Sequence, residues 1–206
     1  MSMFACYFYM HKEELSFTSP QIKHIIIITN SLKGDAMHCF NFNDIVNVLS
    51  RRPDAYAIVS GNEAHPNATG RVNFYNSRHG VLVAAKIIGL PEGDSMCSSR
   101  IFAFHIHEGN ECSGTPSDPF ANTLTHYNPE GCEHPYHAGD LPPLFSNCGL
   151  AITVFLTNRF MVDEIIGKTV VVHDGMDDFT SQPAGNAGTK IMCGVIKSGD
   201  GRMTRC

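Results

Sequence analysis

The sequence predicts an all-β fold, a sandwich or barrel of short strands. Three observations predict it. Short apolar, often β-branched runs recur from residue 55 onward. Glycine- and proline-rich turns separate them, and one adjacent pair has a hairpin pattern. With 206 residues, 43% hydrophobic and 17% charged, the chain can build a core. The net charge of −5 and the lack of a basic run argue against nonspecific nucleic-acid binding. No apolar stretch is long enough for a membrane-spanning helix.

Residues 1–48 differ from the rest. Ile25–Ile28 is strand-like by its β-branching, and Asn43–Leu49 reads as a short helix or turn with Asn43 at its cap. Ala55–Ser60 is the first strand. Gly70–Tyr75 alternates polar and apolar residues, Asn76–Gly80 turns, and Val81–Ile88 runs back. Gly89–Asp94 breaks the chain. Ile101–Ile106 is the next strand and delivers His105, with His107 just past its end. Gly149–Leu156, Thr169–His173 and Ile191–Ile196 complete the set, and Met161–Ile166 reads as a helical turn before Gly167.

Residues 104–140 hold five of the eleven histidines. On a strand, i and i+2 share a face, so His105 and His107 project together. His173 ends a second β-like run. His126, His134, His137 and Asp140 lie in a Pro/Gly-rich loop that can wrap one ion. Three imidazoles and a carboxylate suit a closed four-coordinate Zn2+ site. Imidazole-only ligation by His105, His107 and His173 suits Cu2+. A His-x-His pair alone is weak evidence; six histidines and an aspartate in this order are far more specific.

These residues sit in longer matching pieces: Phe104-His-Ile-His-Glu-Gly, His126-Tyr-Asn-Pro, His137-Ala-Gly-Asp-Leu-Pro, Val171-Val-His-Asp, Asp177-Asp178 and Gly185-Asn-Ala-Gly-Thr-Lys-Ile-Met-Cys-Gly-Val-Ile. Across roughly residues 55–197 the chain resembles the copper–zinc superoxide dismutase family. The resemblance implies an eight-stranded Greek-key β-barrel, an immunoglobulin-like sandwich with long metal-binding loops. It divides the chain into an extension, 1–48, of no assigned role, and a dismutase-like domain, 49–206. It also implies copper ligands His105, His107, His126 and His173, and zinc ligands His126, His134, His137 and Asp140, with His126 serving both ions. Asp177 would bond the outer nitrogens of a copper and a zinc histidine, His105 and His134, fixing their rings.

By the same resemblance Cys112 and Cys193 form a disulfide. Cys97 and Cys132 are a second pair suggested only by their nearness to the site loops. Lys190 stands where family members commonly carry an arginine that guides the anion. Lysine keeps the charge but loses the planar two-donor fork, so a lower rate is expected. The loops 126–140 and 173–185 look shorter than in many members.

The activity implied is disproportionation of superoxide to dioxygen and hydrogen peroxide, with copper alternating between Cu2+ and Cu+. The alternatives are a non-catalytic copper/zinc store or carrier of the same fold, and a structural domain holding zinc alone. Barrel faces of this type often pair, which leaves a homodimer open. The N-terminus lacks a basic region and cleavage site, which favours the cytoplasm. The eight cysteines pull toward an oxidising compartment.

Overall fold

A computed structural model describes residues 42–93, 95 and 101–199. The run Ile25–Ile28, Asp94 and cysteines 6, 39, 97 and 206 lie outside the described residues.

In chain order the elements are α1 (Phe42–Leu49), β1 (Ala55–Gly61), β2 (Thr69–Ser77), β3 (Gly80–Ile88), β4 (Ile101–Phe102) and β5 (Phe104–His107). After these come β6 (Leu144–Phe145), β7 (Ala151–Thr157), α2 (Val162–Ile165), β8 (Thr169–His173) and β9 (Lys190–Ser198). Seven strands form one antiparallel sheet in the order β5-β8-β9-β1-β2-β3-β7. β4 and β6 pair separately. β4 leads into β5 at one edge, and β6 leads into β7 at the other. The short ladder therefore joins the two ends, and the sheet curls into a barrel. Counting β4 and β5 as one interrupted strand gives the eight expected. The chain crosses from β3 to the far edge and returns as β7 beside β3, a Greek-key path.

The interruption corrects the continuous strand expected over 101–106. Both backbone groups of Ala103 bond to the end of β8 and the residues just past it: its N–H donates to Gly175 O at 2.8 Å, and its O accepts the His173 N–H at 2.9 Å. Strand pairing resumes at Phe104 and runs through His107, which lies within β5 rather than past it.

Strand alternation separates core from site. Phe104 and Ile106 on β5 and Val170 and Val172 on β8 pack in the apolar core with Phe74, Val83 and Leu144. His105, His107 and His173 occupy the alternate positions, yet are 0%, 2% and 4% exposed because loops cover that face. Those loops bond directly to the edge of β5. Tyr127 N–H donates to Ile106 O, Ile106 N–H to Gly139 O, and Glu108 N–H to Thr125 O. The edge is thereby paired rather than left open.

α1 lies against β2 and β3, turning the half-buried Ile45, Val48 and Leu49 inward. Tyr75 and Leu82, partners across the hairpin, are buried at that end of the sheet. Among the described residues no helix is long and apolar enough to cross a membrane.

Candidate metal centre

Two four-residue groups converge at the covered face. His105, His107, His126 and His173 form one, and His126, His134, His137 and Asp140 the other. In each, the potential ligand atoms lie within 4.8 Å of one another. His126 belongs to both, its ring centroid 4.0 Å from that of His105 and 5.5 Å from that of His137.

The outer hydrogen bonds decide which nitrogen faces inward. His107 Nδ1 donates to Leu124 O at 2.9 Å and His173 Nδ1 to Gly188 O at 3.2 Å. A carbonyl only accepts, so both Nε2 atoms carry lone pairs, and they face each other at 3.2 Å. His105 donates Nε2–H to Asp177 Oδ2 at 2.9 Å, which leaves its buried Nδ1 without a partner. His126 uses Nδ1 toward Asp140 Oδ1 at 2.7 Å, and its buried Nε2 also has no partner. Four imidazole lone pairs thus meet with no donor among them. Buried acceptors left in this state are costly unless a cation sits between them.

The second group is built the same way. His134 donates Nε2–H to Asp177 Oδ1 at 2.8 Å. Its Nδ1 lies 3.0 Å from Asp140 Oδ2 but makes no hydrogen bond. His137 Nδ1 is 3.4 Å from His126 Nδ1 and 3.3 Å from Asp140 Oδ2. Three Nδ1 atoms and a carboxylate are a donor set zinc accepts, and an all-imidazole set suits copper. The residues fit the two metals.

Charge follows burial. Desolvation lowers His105, His107 and His173 from the ordinary imidazole value, His173 to about 3. Burial alone would raise Asp140 and Asp177, but hydrogen bonds to histidines outweigh it. Asp140 stays below its ordinary value, and Asp177, which also takes the Phe179 amide, falls to about 2. In the metal-free protein the unfolded chain therefore binds more protons than the folded one below about pH 6.5. Stability should fall as pH drops below about 6.5, by up to about 1.4 kcal/mol per pH unit for each such histidine still neutral in the fold, and for His173 the fall continues toward pH 3. Urea midpoints of metal-free protein should be flat from about pH 8 to 7 and decline steadily below about 6; a flat profile throughout contradicts this.

Asp177 is 1% exposed and ties one member of each group together. Replacing such a partner typically costs about 10–100-fold in metal affinity. Asp177→Asn should weaken both copper and zinc binding by that order in chelator competition. Loss confined to one metal would contradict its double role.

A cavity of about 380 Å³ opens onto His107, His126 and His173 and is walled by Leu124, Pro183 and Lys190. His105 and His134 do not reach it. Lys190 Nζ lies 2.9 Å from Asp118 Oδ2 and donates to Phe120 O at 3.0 Å. The Cys112–Cys193 disulfide ties this loop to β9. Cys132 is a free, exposed thiol, and Cys97, suggested as its partner, lies outside the described residues.

Three contributors escaped the sequence reading. Arg159 donates Nη1 to the carbonyls of Pro135, His137 and Asp140, clamping the loop that carries the second group. Gly185 has φ +65°, and a Cβ there would collide with the Asp177 carboxylate. Asp118 meets Lys190 from 72 residues away. Only Gly185 left a local signal, a glycine inside a quoted motif.

A barrel with one imidazole at the junction of an all-histidine group and a histidine–carboxylate group defines a protein of two adjoining metals. Residues 68–196, more than half the chain, match the family described as copper/zinc superoxide dismutase (SODC). Similar curated proteins include "Superoxide dismutase [Cu-Zn] 2" of Aquifex aeolicus, 33% identical over 143 residues, covering 62% of this chain and 78% of that protein. "Superoxide dismutase [Cu-Zn]" of Legionella pneumophila is 32% identical over 140 residues, with coverages of 64% and 80%. The chain belongs to the copper/zinc superoxide dismutase family, oxidoreductases whose metals are copper and zinc.

Proposed function

We propose that this protein disproportionates superoxide, with His126 as the side chain common to the copper and zinc groups. Two superoxide anions and two protons become one dioxygen and one hydrogen peroxide. Copper, when bound, supplies the one-electron redox chemistry. The chain's residues do the rest. Leu124 O, Gly188 O and Asp177 hold the rings of His107, His173 and His105, so their inward nitrogens keep a fixed geometry. His126 is anchored at Nδ1 on the Asp140 side, its ring lines the cavity, and its Nε2 has no other partner. That Nε2 can hold a proton and release it to the departing peroxide without the ring turning. Lys190 offers the cavity's ammonium to an incoming anion.

The observation that carries this reading is the set of four inward lone pairs, three of them on rings that line an open cavity and one on a ring shared with the second group. Pulse radiolysis of copper- and zinc-loaded protein tests it. Catalytic superoxide decay above the free-copper background is expected. Stoichiometric reduction without cycling would instead identify a copper store or carrier. The Cys112–Cys193 disulfide supports an oxidising compartment over the cytoplasm favoured by the N-terminal sequence.

A further inference from the structure

We propose that Asp118 sets how strongly the cavity attracts anions, by pairing with Lys190. The proposal rests on the reading that an anion must enter this cavity. Among the described residues lining it, Lys190 is the one Lys, Arg, Asp or Glu. Its ammonium does not face the cavity alone: the Asp118 carboxylate lies 2.9 Å away. At that distance the pair presents a dipole rather than a full positive charge, and its field falls off faster.

The carboxylate is held in place by its own loop. Asp118 Oδ1 accepts the Phe120 N–H at 3.2 Å. The Thr115 hydroxyl accepts the Asp118 N–H at 3.1 Å, and Thr115 N–H donates to Asp118 O at 2.9 Å. One carboxylate oxygen is thus spent on the turn, and Oδ2 is left for Lys190. Phe120 O takes a second ammonium hydrogen at 3.0 Å. The same loop begins at Cys112, whose bond to Cys193 lands three residues from Lys190 on β9. The ammonium is fixed from one side by a tethered loop that also cancels most of its charge. Asp118 acts through Lys190 and is a positioning residue; it touches no proposed metal ligand.

The pair is partly exposed, with side chains 16% and 40% accessible, so salt modulates it. Removing the carboxylate charge uncovers one positive charge beside the cavity. A unit charge acting over roughly 10 Å of partly solvated path changes anion association about two- to fivefold at low ionic strength.

The test uses the full copper- and zinc-loaded chain. Azide affinity is read from Cu2+ absorption and superoxide turnover from pulse radiolysis, each at about 10 mM and about 200 mM ionic strength. Asp118→Asn should tighten azide and raise kcat/KM about two- to fivefold at low salt, with most of the gain lost at high salt. Glu111→Gln removes a charge just before the same loop, where its carboxylate accepts a hydrogen bond from Ser113 instead, and should change neither by more than about 1.5-fold. In a Lys190→Gln background Asp118→Asn should have no further effect. Asp118→Ser repeats the test if the asparagine variant fails to form the Cys112–Cys193 bond. Unchanged or weakened azide binding in Asp118→Asn overturns the proposal, as does an equal gain without Lys190. Wild-type protein that binds azide but does not dismutate superoxide defeats the functional reading, while the azide comparison still decides the role of Asp118.

Discussion

Replacing His126 with alanine is expected to remove superoxide turnover and to weaken both metals at once. Losing an outer partner of a ligand costs about 10–100-fold in affinity or activity, so losing a ligand sets that range as a floor. His126 is the one residue present in both groups. Its Nδ1 meets Asp140, and its partnerless Nε2 faces the other three imidazoles. The alanine variant should bind copper and zinc at least about 10–100-fold more weakly and show turnover at the free-copper level. His137→Ala is the matched comparison, because it takes a ligand from the second group alone. Its zinc content should fall while copper is retained. Equal losses in the two variants, by metal analysis, would contradict the special position of His126.

Breaking the Cys112–Cys193 bond should give the largest loss of stability. The bond spans a sequence separation of 81, for which chain entropy gives about 4.5 kcal/mol as an upper figure. For a chain of this size each kcal/mol moves the midpoint by about 2–4 °C. The Cys112→Ser, Cys193→Ser double variant should therefore melt roughly 5–15 °C lower, read by calorimetry on the metal-free protein. The double change avoids a stray thiol at Cys193, which is 3% exposed. The loop holding Asp118 and Phe120 is tethered by this bond, so Lys190 should also lose part of its support. An unchanged melting temperature would mean that the loop is held by its own hydrogen bonds instead.

What the sequence could show depended on the range of the interaction. The strands were legible because alternation is local: Phe104 and Ile106 point one way, and His105 and His107 the other, within four residues. The ligand types were legible because imidazoles and a carboxylate cluster in one window. The break at Ala103 was not legible, because it is made by Gly175 and His173, some 70 residues on. β6, only Leu144–Phe145, is too short to carry a period. Arg159 bonds three carbonyls, which have no side-chain signature at all. The Asp118–Lys190 pair joins a turn to a distant strand, and only the closed barrel brings them together. The suggested Cys97–Cys132 pair rested only on nearness to the site loops; Cys132 is free and exposed, and Cys97 lies outside the described residues.

The proposed sharing of one ring by two ions is the point on which the rest turns, and a crystal structure of the oxidised copper- and zinc-loaded protein tests it most directly. The account predicts one ion at about 2.0–2.1 Å from His126 Nδ1 and a second at a similar distance from Nε2. Both metals present with the His126 ring bound to only one of them, or to neither, would contradict it.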